Sequence, residues 1–397
     1  MFENIIGQKR VINSLKKDIL QKSLPRSLLF EGAPYTGKVS TALELARVLD
    51  CEKTDADWSC NCRSCELHRQ LVHQGLLMLG PRYFTREISA TADVFKRSSR
   101  LSSRYLFIRA VRKLTRRFDS IIWDGDREKL RKAGEYLVEM EEILDIIQPG
   151  RPLPDAEKLD IMIEKVVELS SVLSKYIPKG NIPVSQLRNA FTWAHETGNY
   201  SKVLLIENAD TMQAASQNSL LKLLEEPPPN VYIILTSTRG EVLFPTILSR
   251  LRRYRFQERT GAEVKFILKR IFHEDSENEH FNFSSFQEYF RLWAPIQPGI
   301  LRSQAKNFLK NLARSDWVFE IDPKIDGDKE AVLLLIRQIA DFIYSPAEAE
   351  SIGLELPSEK VSHLSRILSN IYNEIDELNI KPSLALKNLY YTMKGVI

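Results

Sequence analysis

Residues 202–256 constrain the fold more than any other stretch: KVLLIENADTMQAASQNSLLKLLEEPPPNVYIILTSTRGEVLFPTILSRLRRYRF. An apolar run at 203–206 stops at Glu207-Asn208-Ala209-Asp210, the pattern of a buried strand. A helical segment follows, with Leu220, Leu221, Leu223 and Leu224 inward and three prolines from Pro227 ending it. A second apolar run at 231–235 closes on Thr236-Ser237-Thr238. Strand, helix, strand at this spacing predicts two parallel neighbouring strands. Ligands of such sheets bind beyond the carboxyl ends of the strands, which places Glu207, Asp210, Ser237 and Thr238 on one rim. Polar residues also end strands with no functional role, so each alone is ambiguous.

Upstream lies a second unit of the same kind. The strand 27–30 leads into Gly32-Ala33-Pro34-Tyr35-Thr36-Gly37-Lys38-Val39-Ser40, and a helix follows through Ala42, Leu43, Leu45, Ala46 and Val48. Strand, GxxxxGK and helix form the P-loop layout, in which backbone N–H groups cradle phosphates and the lysine reaches the terminal ones.

These motifs together resemble the clamp-loader branch of the AAA+ family, the bacterial DNA polymerase III gamma/tau and delta prime subunits. The resemblance rests on the opening FENIIGQ, the P-loop, NSLLKLLEEPP, the Thr-rich strand end and PTILSRLRRYRF, and covers residues 1–84 and 180–310. It implies an α/β P-loop core with a parallel sheet and helices on both faces, a helical lid and an all-α C-terminal collar. The expected domains are the core at 1–256, the lid at 257–321 and the collar at 322–397. In the family the first strand end is Walker B, the Thr-rich end is sensor 1, and Ser-Arg-Cys carries an arginine finger. Here that motif reads Ser249-Arg250-Leu251, keeping the arginine. Gly299 to Arg302 matches sensor 2, and Arg302 reads either as a phosphate contact or as an exposed helix-start arginine.

The site departs from a hydrolysing one. The Mg²⁺-binding hydroxyl expected after Lys38 is replaced by Val39, and Ser40 is one position late. Tyr35 stands where the family has glycine, and tyrosine enters φ > 0 at a cost. Glu207-Asn208 replaces the Asp-Glu pair that holds Mg²⁺ and orients water. The expectation is a subunit that does not hydrolyse ATP, with ATP or ADP binding left open. Arg250 would then serve a neighbouring subunit's triphosphate. The implied partners are gamma/tau and delta subunits, the sliding clamp and, through the complex, primed DNA. Two alternatives stand beside this one: an ATP-hydrolysing gamma/tau-type subunit, and a nucleic-acid-binding scaffold with a vestigial core.

All four cysteines, Cys51, Cys60, Cys62 and Cys65, fall within fifteen residues. That clustering suits a structural tetrahedral Zn²⁺ rather than a disulfide framework. The family's zinc module has one more residue between the second and third cysteines, and the short Cys60-x-Cys62 step strains the usual knuckle. His68 and His73 are candidate substitute ligands, read here as exposed residues.

Residues 85–179 read as an insertion of three helices standing off the core. The second and third, on either side of Pro149-Gly150-Arg151-Pro152, carry a/d-type spacing and predict a helical hairpin. The segment 96–117 holds nine cations and no acid. It fits DNA phosphates or an acidic partner, or else a solvated face partly neutralised by the acidic second helix. Composition adds limits: 43% apolar and 27% charged residues make an ordinary globular balance, and a net charge of +4 is compatible with nucleic acid without requiring it. No apolar run reaches membrane-spanning length and no secretory signal is visible, so the expectation is cytoplasmic.

Overall fold

The computed structural model describes residues 1–178, 180–274, 283–293, 298–314, 321–323, 325–326, 329–350, 353–354, 357–376 and 380–396. The chain forms two compact units, residues 1–293 and 294–397.

The first unit is built on five parallel strands: β1 (Ser27–Glu31), β2 (Leu76–Leu79), β3 (Lys202–Ile206), β4 (Val231–Ser237) and β5 (Arg252–Arg255), in the order β2-β3-β4-β1-β5. The predicted pairing of β3 with β4 is present, with Val203 opposite Tyr232. Side-chain alternation assigns the two faces. Leu29, Leu77, Leu79, Leu204, Ile206, Ile233 and Leu235 enter one buried cluster. Leu28, Phe30, Leu76, Met78, Val203, Leu205 and Ile234 enter another. The second cluster is covered by α1 (Lys9–Leu20) and α2 (Lys38–Leu49), through Leu15, Leu43 and Leu45 among others. The cysteine-bearing region contributes α3 (Arg63–Arg69).

The first face carries more. Here lie α4 (Phe84–Arg97), α5 (Leu101–Thr115), α6 (Arg127–Ile146), α7 (Ala156–Leu173), α8 (Val184–His195), α9 (Ala214–Glu225) and the short α10 (Pro245–Leu248). Phe84, Ile88, Phe107, Val111, Met140, Leu144, Ile163 and Val166 share one continuous core with the strands. The segment read as a three-helix insertion standing off the core is therefore four helices fused to it. The hairpin expectation itself holds, since α6 and α7 pack together across the turn at Gly150. The extra helix, α4, has two apolar sides. Phe84, Ile88, Ala92 and Phe95 face the sheet core, while Ala90 and Val94 meet α11 (Gly261–Ile271) and α12 (Phe286–Arg291) in a separate cluster with Val264, Leu268, Tyr289 and Phe290. Helix α11 opens on a capping box between Thr260 and Glu263.

The second unit consists of α13 (Pro298–Ala313), α14 (Lys329–Tyr344), α15 (Pro346–Glu350), α16 (Ser358–Asp376) and α17 (Pro382–Lys394). Its own core includes Phe308, Leu335, Ile339, Leu364, Leu389 and Tyr390. The division after Trp293 falls inside the span expected for the lid, and α15 was not anticipated. Parts of that lid (275–282, 294–297 and 315–320) and residues 324, 327 and 328 of the expected linker lie outside the described residues.

Candidate nucleotide site and cysteine centre

The P-loop follows β1. Gly32 sits at φ 145°, and a Cβ there would fall 2.4 Å from the Phe256 carbonyl oxygen, so the loop requires glycine where it passes the end of β5. Tyr35 takes φ 61°, against the expectation that tyrosine would avoid this region. Its ring stacks on Phe290 of α12, centroids 5.2 Å apart, which offsets the backbone strain. Gly37, at φ 100°, leads into α2. Lys38 Nζ turns back onto the loop, donating to the carbonyls of Gly32 and Ala33, the latter at 2.6 Å. Burial, with the nearby charge of Arg82, lowers the Lys38 pKa to about 8, against the pull of Asp210. Val39 packs into the apolar cluster beneath, and Ser40 is exposed. Arg259 lies across the loop and donates to the carbonyls of Ile6 (2.7 Å), Thr36 (3.2 Å) and Tyr35 (3.4 Å).

The rim residues at the ends of β3 and β4 come together as read from the sequence. Asp210 accepts from the Thr238 hydroxyl at 2.8 Å, and Ser237 Oγ accepts from the Arg239 N–H. Asn208 adopts φ 50°, a left-handed conformation that asparagine tolerates. Its side-chain amide donates to the Pro81 carbonyl at 2.7 Å, and its N–H donates to Thr236 Oγ1. Gly80, at φ 100°, permits the close approach here, because a Cβ would lie 2.0 Å from the Glu207 carbonyl oxygen.

Glu207 is 1% exposed, and both carboxylate oxygens are taken by arginines. Arg82 Nη1 donates to one at 2.7 Å, and Arg117 Nη2 to the other at 2.5 Å. Arg82 also binds Glu87, which pairs in turn with Lys113. Burial works to raise the Glu87 pKa, but the charges of Arg82 and Lys113 overcome it and hold the group at about 2. The Glu207 carboxyl is lowered by the same balance, with Arg82 and Arg117 opposing burial. Two arginines so placed neutralise the carboxylate and set positive charge beside it.

Most of the basic segment is engaged inside the protein. Arg104 donates to the carbonyls of Ile147, Gln148 and Arg151, and Arg109 to those of His68 and Arg69. Arg116 binds the carbonyls of His73 and Leu76, Arg112 pairs with Glu141, Lys96 with Glu164, and Arg97 with Asp93 and Glu274. The reading of this run as an outward surface is corrected accordingly, while the expected balance with the acidic second helix is met in part by the Arg112–Glu141 pair. The candidate finger Arg250 lies at the surface after α10, donating to the Thr246 carbonyl at 2.7 Å and to Glu225 at 2.8 Å. Arg302 belongs to the second unit, where it pairs with Glu348 and lies over the Phe342 ring.

The four cysteines converge despite the short spacing, their sulfurs lying within 4.8 Å of one another. Cys51 and Cys60 sulfurs are 3.7 Å apart, close to the roughly 3.8 Å that sulfurs at roughly 2.3 Å from a tetrahedral ion would show. Cys62 caps α3 and accepts from the Cys65 N–H, and Arg47 Nη1 donates to Cys65 Sγ at 3.0 Å. His68 and His73 are buried rather than exposed. His73 Nδ1 accepts from the Gly75 N–H, which leaves Nε2 carrying its proton toward Asp50 at 2.9 Å. With both nitrogens so used, His73 has no lone pair for a metal.

A family model described as "DNA polymerase III, delta subunit" matches residues 7–119 and 155–260, more than half of the chain. The chain belongs to this family of clamp-loader subunits. Among curated relatives, the DNA polymerase III subunit delta prime of Haemophilus influenzae is 38% identical over 21% of this chain and 24% of its own length. The DNA polymerase III subunit tau of Bacillus subtilis is 36% identical over 16% of this chain and 12% of its own. An uncharacterised protein of Mycoplasma pneumoniae is 33% identical over 22% and 37%. The chain thus spans well under half the length of these relatives. A gamma-subunit-related protein from Thermotoga maritima aligns over 58% of this chain at 18% identity, with a TM-score of 0.33.

The family match also moves the boundaries of the insertion. It runs through α4 and α5 and resumes at the start of α7, leaving 120–154, which is α6 with its flanks, outside it. The family match thus includes 85–119 and 155–179, which the sequence reading had assigned to the insertion. Arg82, Glu87, Lys113 and Arg117 were not recognised as site residues. The one available signal was the placement of Lys113 and Arg117 beside the apolar stripe Phe107–Val111–Leu114, which puts them near the core.

Proposed function

We propose that this chain is a non-hydrolysing, delta-prime-like subunit of a DNA polymerase III clamp loader. It would assemble with gamma/tau and delta subunits and help load a sliding clamp onto primed DNA. The observation that carries this reading is the ion-paired Glu207 beside Asn208: two arginines stand where a hydrolysing site needs a metal, and an amide where it needs a water-orienting carboxylate. Val39 removes the remaining metal ligand. Arg250, at the surface, would act in trans on a neighbour's ATP, where such an arginine contributes on the order of 10³–10⁵ in rate. Cys51, Cys60, Cys62 and Cys65 would hold a structural Zn²⁺, which four protein ligands leave without an open position. The purified chain should show no ATPase. In the reconstituted complex, Arg250→Ala should preserve assembly and depress ATP turnover by at least tenfold. Wild-type turnover in that complex would refute the finger role.

The second reading, a hydrolysing gamma/tau-type motor, is favoured by the tau and gamma/tau relatives. ATP turnover by the chain alone, abolished by Lys38→Ala, would establish it. The scaffold reading loses support, because among the described residues only Arg100 of the nine cations at 96–117 has no side-chain partner within the protein.

A further inference from the structure

Arg100 lines a cavity of about 470 Å³ together with Arg97, Ser98, Ser99, Lys269, His273 and Glu274. That volume is within the range of small-ligand sites, roughly 300–1,000 Å³. One wall is the turn between α4 and α5, and the other is the end of α11 and the residues after it. The apolar cluster of Ala90 and Val94 with Val264, Ile267 and Leu268 holds the two walls together. Three formal cations face one acid. Glu274 is already committed, accepting from Arg97 at 2.8 Å and from the Tyr289 hydroxyl at 2.8 Å. Lys269 and Arg100 are exposed, and among the described residues neither has an anionic partner.

Two further features point to a ligand. The buried Ser98 Oγ and His273 Nε2 have no hydrogen-bond partner among the described residues. Helix α5, fifteen residues long, begins at this wall with no side-chain cap, so its first N–H groups and the positive end of its dipole add to the field. His273 is held at φ 53°, which turns the chain sharply after α11. Burial and then the charges of Arg100 and Arg97 lower its pKa.

We propose that this cavity binds a phosphate group carried by a larger molecule, with Arg100 and Lys269 as the charge-bearing contacts and Ser98 and His273 as hydrogen-bonding ones. The phosphate could belong to a nucleic-acid backbone or to a free phosphorylated compound. This inference does not depend on the clamp-loader reading, because none of its residues belongs to the P-loop, the rim or the cysteine centre.

The test uses the full chain with two probes: labelled primer–template DNA followed by anisotropy across a salt series, and inorganic pyrophosphate followed by calorimetry. Arg100→Ala/Lys269→Ala should weaken binding of at least one probe by tenfold or more. Loss on DNA, with the slope of log affinity against log salt falling by about 0.9 per phosphate contact removed, assigns the site to a nucleic-acid backbone. Loss on pyrophosphate alone assigns it to a free phosphorylated ligand. Arg100→Glu should deepen either effect, and Arg127→Ala, which removes an exposed cation outside the cavity, should not reproduce it. Both positions are exposed, so the variants are expected to keep the wild-type circular dichroism. The proposal is overturned if the wild-type chain binds neither probe, or if both probes bind the double variant as they bind wild type.

Discussion

At the scale of single residues, the buried charges around Glu207 decide what the nucleotide site can do. Arg82, Lys113 and Arg117 face Glu87 and Glu207, and every one of these ions has lost most of its water. Such a group is sensitive to the loss of a single member, because the partner left behind is a buried, uncompensated charge. Arg117→Met should therefore destabilise the first unit by about 3 kcal/mol, read from urea unfolding. An effect under about 0.5 kcal/mol would show that the pairing is solvent-screened after all. Glu87 gives the acid dependence. Its pKa is about 2 in the folded protein against an ordinary 4.5, so the stability it contributes is fully present above pH 4.5 and is lost as pH falls from there toward 2. The difference corresponds to on the order of 3 kcal/mol. Glu87→Gln should flatten the stability profile in that window, and an unchanged profile would assign the acid sensitivity elsewhere. Val39 and Asn208 were legible in the sequence because each replaces a residue type that the chemistry demands. The arginines on Glu207 were not, since they come from positions 125 and 90 residues away and follow no spacing rule.

Among elements, β1, β2, β3, β4, α2, α9 and the α6–α7 hairpin were read from the sequence, while β5 and α4 were not. For α4 the signal was there to read, since Phe84, Ile88, Ala92 and Phe95 recur at helical spacing between Thr85, Ser89, Thr91 and Asp93. The cysteine module was readable as a group but not in its supports. Arg47 spans Glu44, the carbonyls of Ala56 and Asp57, and Cys65, while Asp50 collects Ser64, His73 and the Ser201 N–H. These contacts tie the module to α2 and to the start of β3. On the zinc reading, Cys65→Ser should abolish stoichiometric zinc by atomic absorption and lower the melting midpoint of the first unit. A zinc-free wild-type protein with an unchanged midpoint would reject it.

For the whole molecule, each unit carries its own buried core, and this organisation makes a fragment experiment informative. A chain ending at residue 293 should fold, with a cooperative unfolding transition and the α/β circular dichroism of the sheet unit. Aggregation or a featureless transition would mean that residues 294–397 are required for folding. The parallel sheet followed from two strand–helix repeats in the sequence. The place of division did not, because helices continue on both sides of residue 293 and the hydrophobic pattern looks alike across it.

The self-bonded P-loop has an energetic corollary. A triphosphate entering it would meet a lysine and an arginine already satisfied by five main-chain oxygens. Each bond surrendered forfeits about 1 kcal/mol, so intramolecular competition sets a ceiling on affinity before any ligand contact is counted. A nucleotide that binds here despite that handicap would have to peel Arg259 from Ile6, coupling occupancy to the chain's first residues.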